Sequence, residues 1–301
     1  MARSVQGAAQ GRRDVSEYQY YEFQAIDRPL TPRELAALRR FSSRATITPS
    51  RFVNSYSYGR FKGDESAWME KYFDGFLYQA NWGSRVLMLR LPAAALSLRE
   101  ARRYCPGGSA IVRRSGDKVI LEFRSEDEGG EGWVEEDVGL MASLLPLRAK
   151  LAAGDLRGLY LAWLACAQAG ELDEAAEEPP CPPGLKSLSA PLQALAEFLR
   201  LDRDLLKTAA AASRADSGGK GTSDRWVRGL SEAEKTRLLV RLMDGGEAAV
   251  RAELLRRLRK AHAEQAPVDQ GTRRTVAGLL DAAKVRSGVQ EAGRATRRGR
   301  S

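Results

Sequence analysis

The stretch EYQYYEFQAIDRPLTPREL, residues Glu17 to Leu35, decides how the first half of the chain is read. Tyr18, Tyr20, Tyr21 and Phe23 crowd its first seven residues. Such a run serves either as an aromatic platform for a ligand or as a strand of a core. Strand periodicity puts Tyr21, Phe23 and Ala25 on one face and Tyr20, Glu22 and Gln24 on the other. A platform for single-stranded nucleic acid sets aromatics beside basic residues, yet Glu17 and Glu22 flank these tyrosines. The core-strand reading follows. Pro29 ends the strand. Thr31, Pro32 and Glu34 then supply an N-cap, a first helical position and a capping box, and the helix turns Leu35, Leu38 and Phe41 inward.

Working outward, a second strand is expected around Ala45 to Tyr58, interrupted by Pro49. Asp64 caps a helix expected over DESAWMEKYFDGFLYQA, because Trp68, Tyr72, Phe73, Phe76 and Ala80 repeat at helical spacing. RVLMLRL (Arg85 to Leu91) reads as a strand ended by Pro92, and SLREARRY as a short helix. IVRRSGDKVILEF (Ile111 to Phe123) reads as a hairpin turning at Ser115-Gly116-Asp117. The sum is an α+β domain of roughly five strands with two or three helices.

Eighteen of the 22 aromatic residues precede residue 141, and Ala, Leu and Arg dominate afterwards. The division expected is a disordered N-terminus (1–16), the α+β domain (17–140) and a helical hairpin (141–172). A Pro-rich linker (173–188), a helical segment (189–212), a flexible linker (213–224) and a second helical segment (225–262) follow. A basic, largely disordered tail (263–301) closes the chain. In the hairpin, LLPLRAKLAA stops at Gly154 and Asp155 caps LRGLYLAWLACAQA. Pro179, Pro180, Pro182 and Pro183 stiffen the linker. Ser231 and Glu234 form another capping box.

The length of 301 residues and an apolar fraction of 43% allow a core without disulfide or metal support. The longest apolar run, LYLAWLACA, is too short to span a bilayer, which needs about 20 residues. The first sixteen residues lack the apolar run of a secretory leader. Cys105, Cys166 and Cys181 are odd in number and far apart, which fits a reducing cytoplasm. The net charge of +9 is uneven. Residues 270–301 carry +6, whereas Glu122 to Asp137 carry −7.

Catalytic and metal signatures are sparse. The one histidine, His262, would have to serve any histidine triad, and its polar context RKAHAEQ disfavours that role; His-rich zinc sites are excluded. Neither Cys105, beside Pro106-Gly107-Gly108, nor Cys181, among prolines, has a base nearby, and Cys166 lies on an apolar helix. SGGKGTSD misses the phosphate-loop spacing, because Gly221 separates Lys220 from Thr222. EFRSEDEGGEGWVEED lacks the calcium-loop pattern. No cofactor or metal is therefore expected. The charged runs offer docking instead: Glu126, Asp127 and Glu128 for a basic partner, and Arg256, Arg257, Arg259 and Lys260 on the helix RAELLRRLRK. The tail GRATRRGRS suits phosphate neutralisation without sequence readout.

Several phrases taken together resemble a family of uncharacterised bacterial proteins described as hypothetical. They are YEFQAIDRPLT, FKGD, EKYFDGFLYQANWG, VILEFRSEDEGG and GDLRGLYLAWL, within roughly residues 17 to 260. The resemblance implies no activity and no functional residues. In that family a motif like RRTVAGLL, matched by Arg273 to Leu280, leads into a long charged helical segment. By that comparison the C-terminus here is expected to be shortened or altered.

The reading these observations favour is a cytoplasmic, non-enzymatic interaction protein with a protein partner. A nucleic-acid-associated protein using the basic C-terminus is second. Third is an enzyme with a pocket lined by Tyr72, Trp82, Asp64 and Glu70. In that reading Glu70 and Asp74, four apart on the expected helix, face a common cleft.

Overall fold

The structure, a computed structural model, describes residues 18–127 except 58 and 60, 139–215, 224–245 except 225, and 273–298. It also describes residues 250, 251, 253, 254, 257, 258 and 261. The fold is α+β. Its seven strands are β1 (Gln19–Gln24), β2 (Thr46–Thr48), β3 (Arg51–Tyr56), β4 (Gly75–Ala80), β5 (Arg85–Pro92), β6 (Ala110–Ser115) and β7 (Lys118–Ser125). They form one antiparallel sheet in the order β2-β3-β1-β4-β5-β7-β6.

The opening aromatics are core. β1 lies inside the sheet, with Phe23 opposite Phe52 on β3 and Phe76 on β4. Two helices cover this face: α1 (Pro32–Arg39), through Leu38, and α2 (Glu65–Lys71), through Trp68 and Met69. Phe23 is fully buried and touches the rings of Phe52, Phe61, Trp68, Phe73 and Phe76, the last with centroids 4.4 Å apart. Thr31 and Glu34 make the expected capping box, and Arg28 clamps Glu34 from outside.

The other face bears Leu77, Leu87, Leu89, Leu121 and Phe123. It packs against α3 (Leu98–Arg102), α4 (Leu140–Leu144), α5 (Pro146–Ala152), α6 (Arg157–Gln168), α7 (Ala190–Phe198) and α8 (Arg203–Ala211). At the centre is α6, whose residues Gly158 to Ala167 are all buried. One hydrophobic cluster joins sheet and helices, from Tyr20 to Ala283. Two further helices are α9 (Glu232–Met243) and α10 (Val276–Arg298). Among the described residues no helix is long and apolar enough to cross a membrane.

Several expectations need correction. The helix expected over Asp64 to Ala80 ends at Lys71; the chain turns through Tyr72 to Asp74 and continues as β4. Trp68 on α2 and Phe73 and Phe76 beyond it still enter one aromatic core, so the spacing satisfied a helical pattern that only its first part adopts. Gly75 admits the close approach of α4: a Cβ there would sit 2.9 Å from Met141 Cε and Leu145 Cδ1. This strand, and the division of Ala45 to Tyr58 into β2 and β3, raise the strand count from five to seven. Pro146 likewise divides the expected helix LLPLRAKLAA into α4 and α5. Leu156, not Asp155, is the N-cap of α6, while Asp155 pairs with the Arg157 guanidinium at 2.7 Å.

The segment read as a Pro-rich linker is bound into the body. The Tyr104 hydroxyl donates to Pro180 O (2.9 Å), Ser213 Oγ donates to Pro182 O (2.7 Å), and Leu185 is buried. Much of the tail read as disordered is also ordered. Residues 273–298 contribute a β-bridge between Thr275 and Glu177 and then α10, which packs Val276, Leu279 and Ala283 into the core. Arg274 donates to both oxygens of the buried Glu178 carboxylate (2.7 and 2.9 Å) and to Thr208 O (3.1 Å). The Tyr160 hydroxyl donates to the same carboxylate. The disorder expected for 1–16 and the flexible gap SGGKGTS lie outside the described residues, as do 263–272 and 299–301.

Candidate interaction surface

The residues grouped as a possible enzyme pocket are dispersed by the fold. Asp64 is the N-cap of α2, accepting from Ala67 N at 2.9 Å. Glu70 pairs with Arg113 of β6. Trp82 lies on the β4–β5 turn and donates to Ser84 Oγ at 2.9 Å. Tyr72 and Asp64 do share an open depression of about 420 Å³, walled by Phe41, Trp68, Lys62 and Lys71. Its shape is that of a shallow surface bowl, and neither Glu70 nor Trp82 enters it.

Asp74 is a structural hub. It is 1% exposed and accepts from Ile26 N (2.7 Å), Asp27 N (2.9 Å) and the Arg90 guanidinium (2.8 and 3.1 Å). Burial opposes its charge, but these donors outweigh burial and hold its pKa below the usual value. Arg90 donates onward to Glu70 O (2.7 Å), and Arg148 of α5 bonds Arg90 O (2.6 Å) and Asp27 (2.7 Å). The network therefore ties β1, β4 and β5 to the helical layer.

Burial shifts the titration of several other groups. Burial pushes the Cys105 and Cys166 thiols up to about 12, and Cys181 is raised as well, so thiolate is scarce at neutral pH. Burial also raises Tyr78 to about 12, and both Tyr21 and Tyr78 donate their hydroxyls to Gln19 Oε1. Glu65 is raised by burial, with Asp64 and Glu122 adding to the effect. Among the described residues no group of three His, Cys, Asp or Glu side chains could hold a metal ion. His262 lies outside the described residues.

Three of the charged docking candidates, Glu126, Asp127 and Arg257, are engaged within the chain. Ser84 Oγ donates to Glu126. Asp127 lies 3.7 Å from the guanidinium of Arg200, which also donates to Ser125 Oγ (2.8 Å) and Gly83 O (2.9 Å). Arg200 adopts a φ of 52, a left-handed conformation unusual for a residue with a Cβ. Arg257 pairs with Glu253 (2.6 Å) and Glu234 (3.4 Å). Glu128, Arg256, Arg259 and Lys260 lie outside the described residues.

A surface that the sequence reading missed is the outer face of α9. Ser231 and Glu234 cap this helix as expected. Leu238 is buried at 5% and faces inward. Leu239, Val240 and Met243 are 60%, 52% and 89% exposed. Leu239 and Met243 lie one turn apart on the same side, with Val240 beside them. Lys235 and Arg237 flank this apolar patch on the helix wheel, at 100° per residue. Residues 226–261 hold nine Lys/Arg against five Asp/Glu, a net +4. The buried Leu238 and Val250 belong to neither of the two hydrophobic cores. The signal was present in RLLVRLM: five apolar residues in seven are more than one buried stripe can use. Comparison with protein-family models, curated proteins and solved structures returns no match.

Proposed function

We propose that the chain is a non-enzymatic interaction protein that docks an acidic amphipathic helix of a partner protein on α9. The observation that carries this reading is the exposure of Leu239, Val240 and Met243 side by side on a folded helix whose opposite side is packed. Exposed apolar patches on soluble proteins mark interaction sites, and helix-in-groove docking uses anchors at this spacing. The positive charge of residues 226–261 selects an acidic occupant. The structural engagement of Asp64 as a helix cap, Glu70 with Arg113, Asp74 with Arg90 and Trp82 with Ser84 supports a non-catalytic role. The three free cysteines support a reducing, cytoplasmic location.

The test titrates a labelled amphipathic peptide, with leucines at i, i+3, i+4 and i+7 spacing and glutamates on the remaining face, against the full chain. Replacing Leu239 and Met243 together by Ser removes apolar anchors without disturbing a core. Affinity should fall about tenfold or more, since each anchor contributes on the order of 1 kcal/mol, and the thermal midpoint should stay where it was. Binding that is indifferent to the double substitution refutes the reading.

A further inference from the structure

We propose that an acidic, extended segment of a partner pairs with the outer edge of β6 as an eighth strand of the sheet. β6 is the terminal strand at one side, since the order ends β7-β6. The direction of its backbone groups follows from the ladder. Arg124 N donates to Ser109 O at 2.9 Å, and a two-residue turn, Gly116-Asp117, joins the pair Ser115 and Lys118. Odd-numbered residues of β6 therefore bond to β7, and the alternation of an antiparallel ladder aims the N–H and C=O of even-numbered residues outward. Gly107 bridges Ala110. Val112 and Arg114 remain, each presenting a donor and an acceptor to an incoming strand.

The side chains choose the occupant. Arg113 and Arg114 project from opposite faces of β6. Arg99, Arg102 and Arg103 are exposed on α3 and its C-cap, and α3 packs against β6. Arg113 spends one guanidinium nitrogen on Glu70, and its Nη2 is buried without a hydrogen-bond partner. Arginines on an edge strand repel a second copy of the same edge, whereas a strand carrying carboxylates meets complementary charge on the face of Arg114 and the α3 arginines, Arg113 being already paired with Glu70. The opposite edge, β2, has three residues against the six of β6, too few for an extended pairing. Main-chain bonds would supply affinity and the arginines selectivity, as in strand-addition recognition. This inference is independent of α9.

The test uses a short fluorescent peptide that alternates glutamate with valine, the full chain, and two readouts: anisotropy and amide hydrogen exchange. Binding should protect the Val112 and Arg114 amides. Arg102→Glu with Arg103→Glu should weaken it about tenfold. Arg114→Pro removes one outward N–H but no bond to β7, as edge prolines allow, and should weaken binding more than Arg114→Gln. The proposal is overturned by no binding, by binding that leaves those amides unprotected, or by indifference to the α3 charge reversals. Oligothymidylate capturing the same arginines while the peptide fails would also overturn it and assign the patch to phosphate.

Discussion

Removing the Asp74 carboxylate should unfold the protein more readily than any surface change. Asp74→Ala leaves the N–H groups of Ile26 and Asp27 without their acceptor, and strands the Arg90 guanidinium, whose side chain is only 12% exposed. Breaking a buried, hydrogen-bonded ion pair costs about 3 to 5 kcal/mol. That range already contains much of the penalty for the two orphaned donors, so no further sum is added. Asp74→Asn keeps one acceptor oxygen and the volume, and should lose about half as much. Urea unfolding followed by circular dichroism measures both, through the shift in midpoint at constant slope. The pH dependence has a definite sign. The folded pKa lies below the unfolded value, so the contribution is full above about pH 4, the unfolded carboxylate range. It is lost as pH falls through the lower folded value. Loss of less than about 1 kcal/mol in Asp74→Ala would refute the hub, because a surface pair is worth that little. So would an unchanged acid limb in the variant.

Two further outcomes follow from other sites. Arg200→Ala removes the bonds to Gly83 and Ser125 yet keeps a Cβ at positive φ, whereas Arg200→Gly removes the same bonds and the strain. The Gly variant should therefore be more stable than the Ala variant by about 1 kcal/mol, read from thermal midpoints. Cys105 and Cys166 should resist iodoacetamide at neutral pH in the folded protein and react once urea unfolds it. Rapid modification of either thiol in the native chain would contradict the burial argument.

Features set by local chemistry were legible in the sequence. The capping boxes at Thr31 and Ser231 need only residues three apart, and the turn at Gly116-Asp117 only its own dihedral freedom. Features set by distant contacts were not. Tyr72 to Ala80 carries aromatics dense enough to satisfy either a 3.6- or a 2-residue period, and the choice depends on α4 approaching Gly75 from some 66 residues away. The Pro-rich segment looks like a spacer until Tyr104 and Ser213 reach its carbonyls. The α10 stripe of Val276, Leu279 and Ala283 has helical spacing, but the surrounding charge masked it. For the candidate site, charge runs drew attention to Glu126, Asp127 and Arg257. Charge alone gives no sign that Arg200 lies beside Asp127, or that Glu253 and Glu234 hold Arg257.

The clasp between Glu178 and Arg274 joins residues 96 positions apart. During synthesis Glu178 and Tyr160 emerge long before their cation. Until residue 274 arrives, the growing chain must either keep that carboxylate in water, leaving α6 partly uncovered, or bury it unpaired at a cost of several kcal/mol. The final helix thus sets the moment at which the body can close. A ribosome stalled before Arg274, or a protease cutting ahead of it, would release a chain with most of its apolar residues but no stable way to enclose them. Such a chain would present itself to the chaperones and proteases of the cell as unfinished.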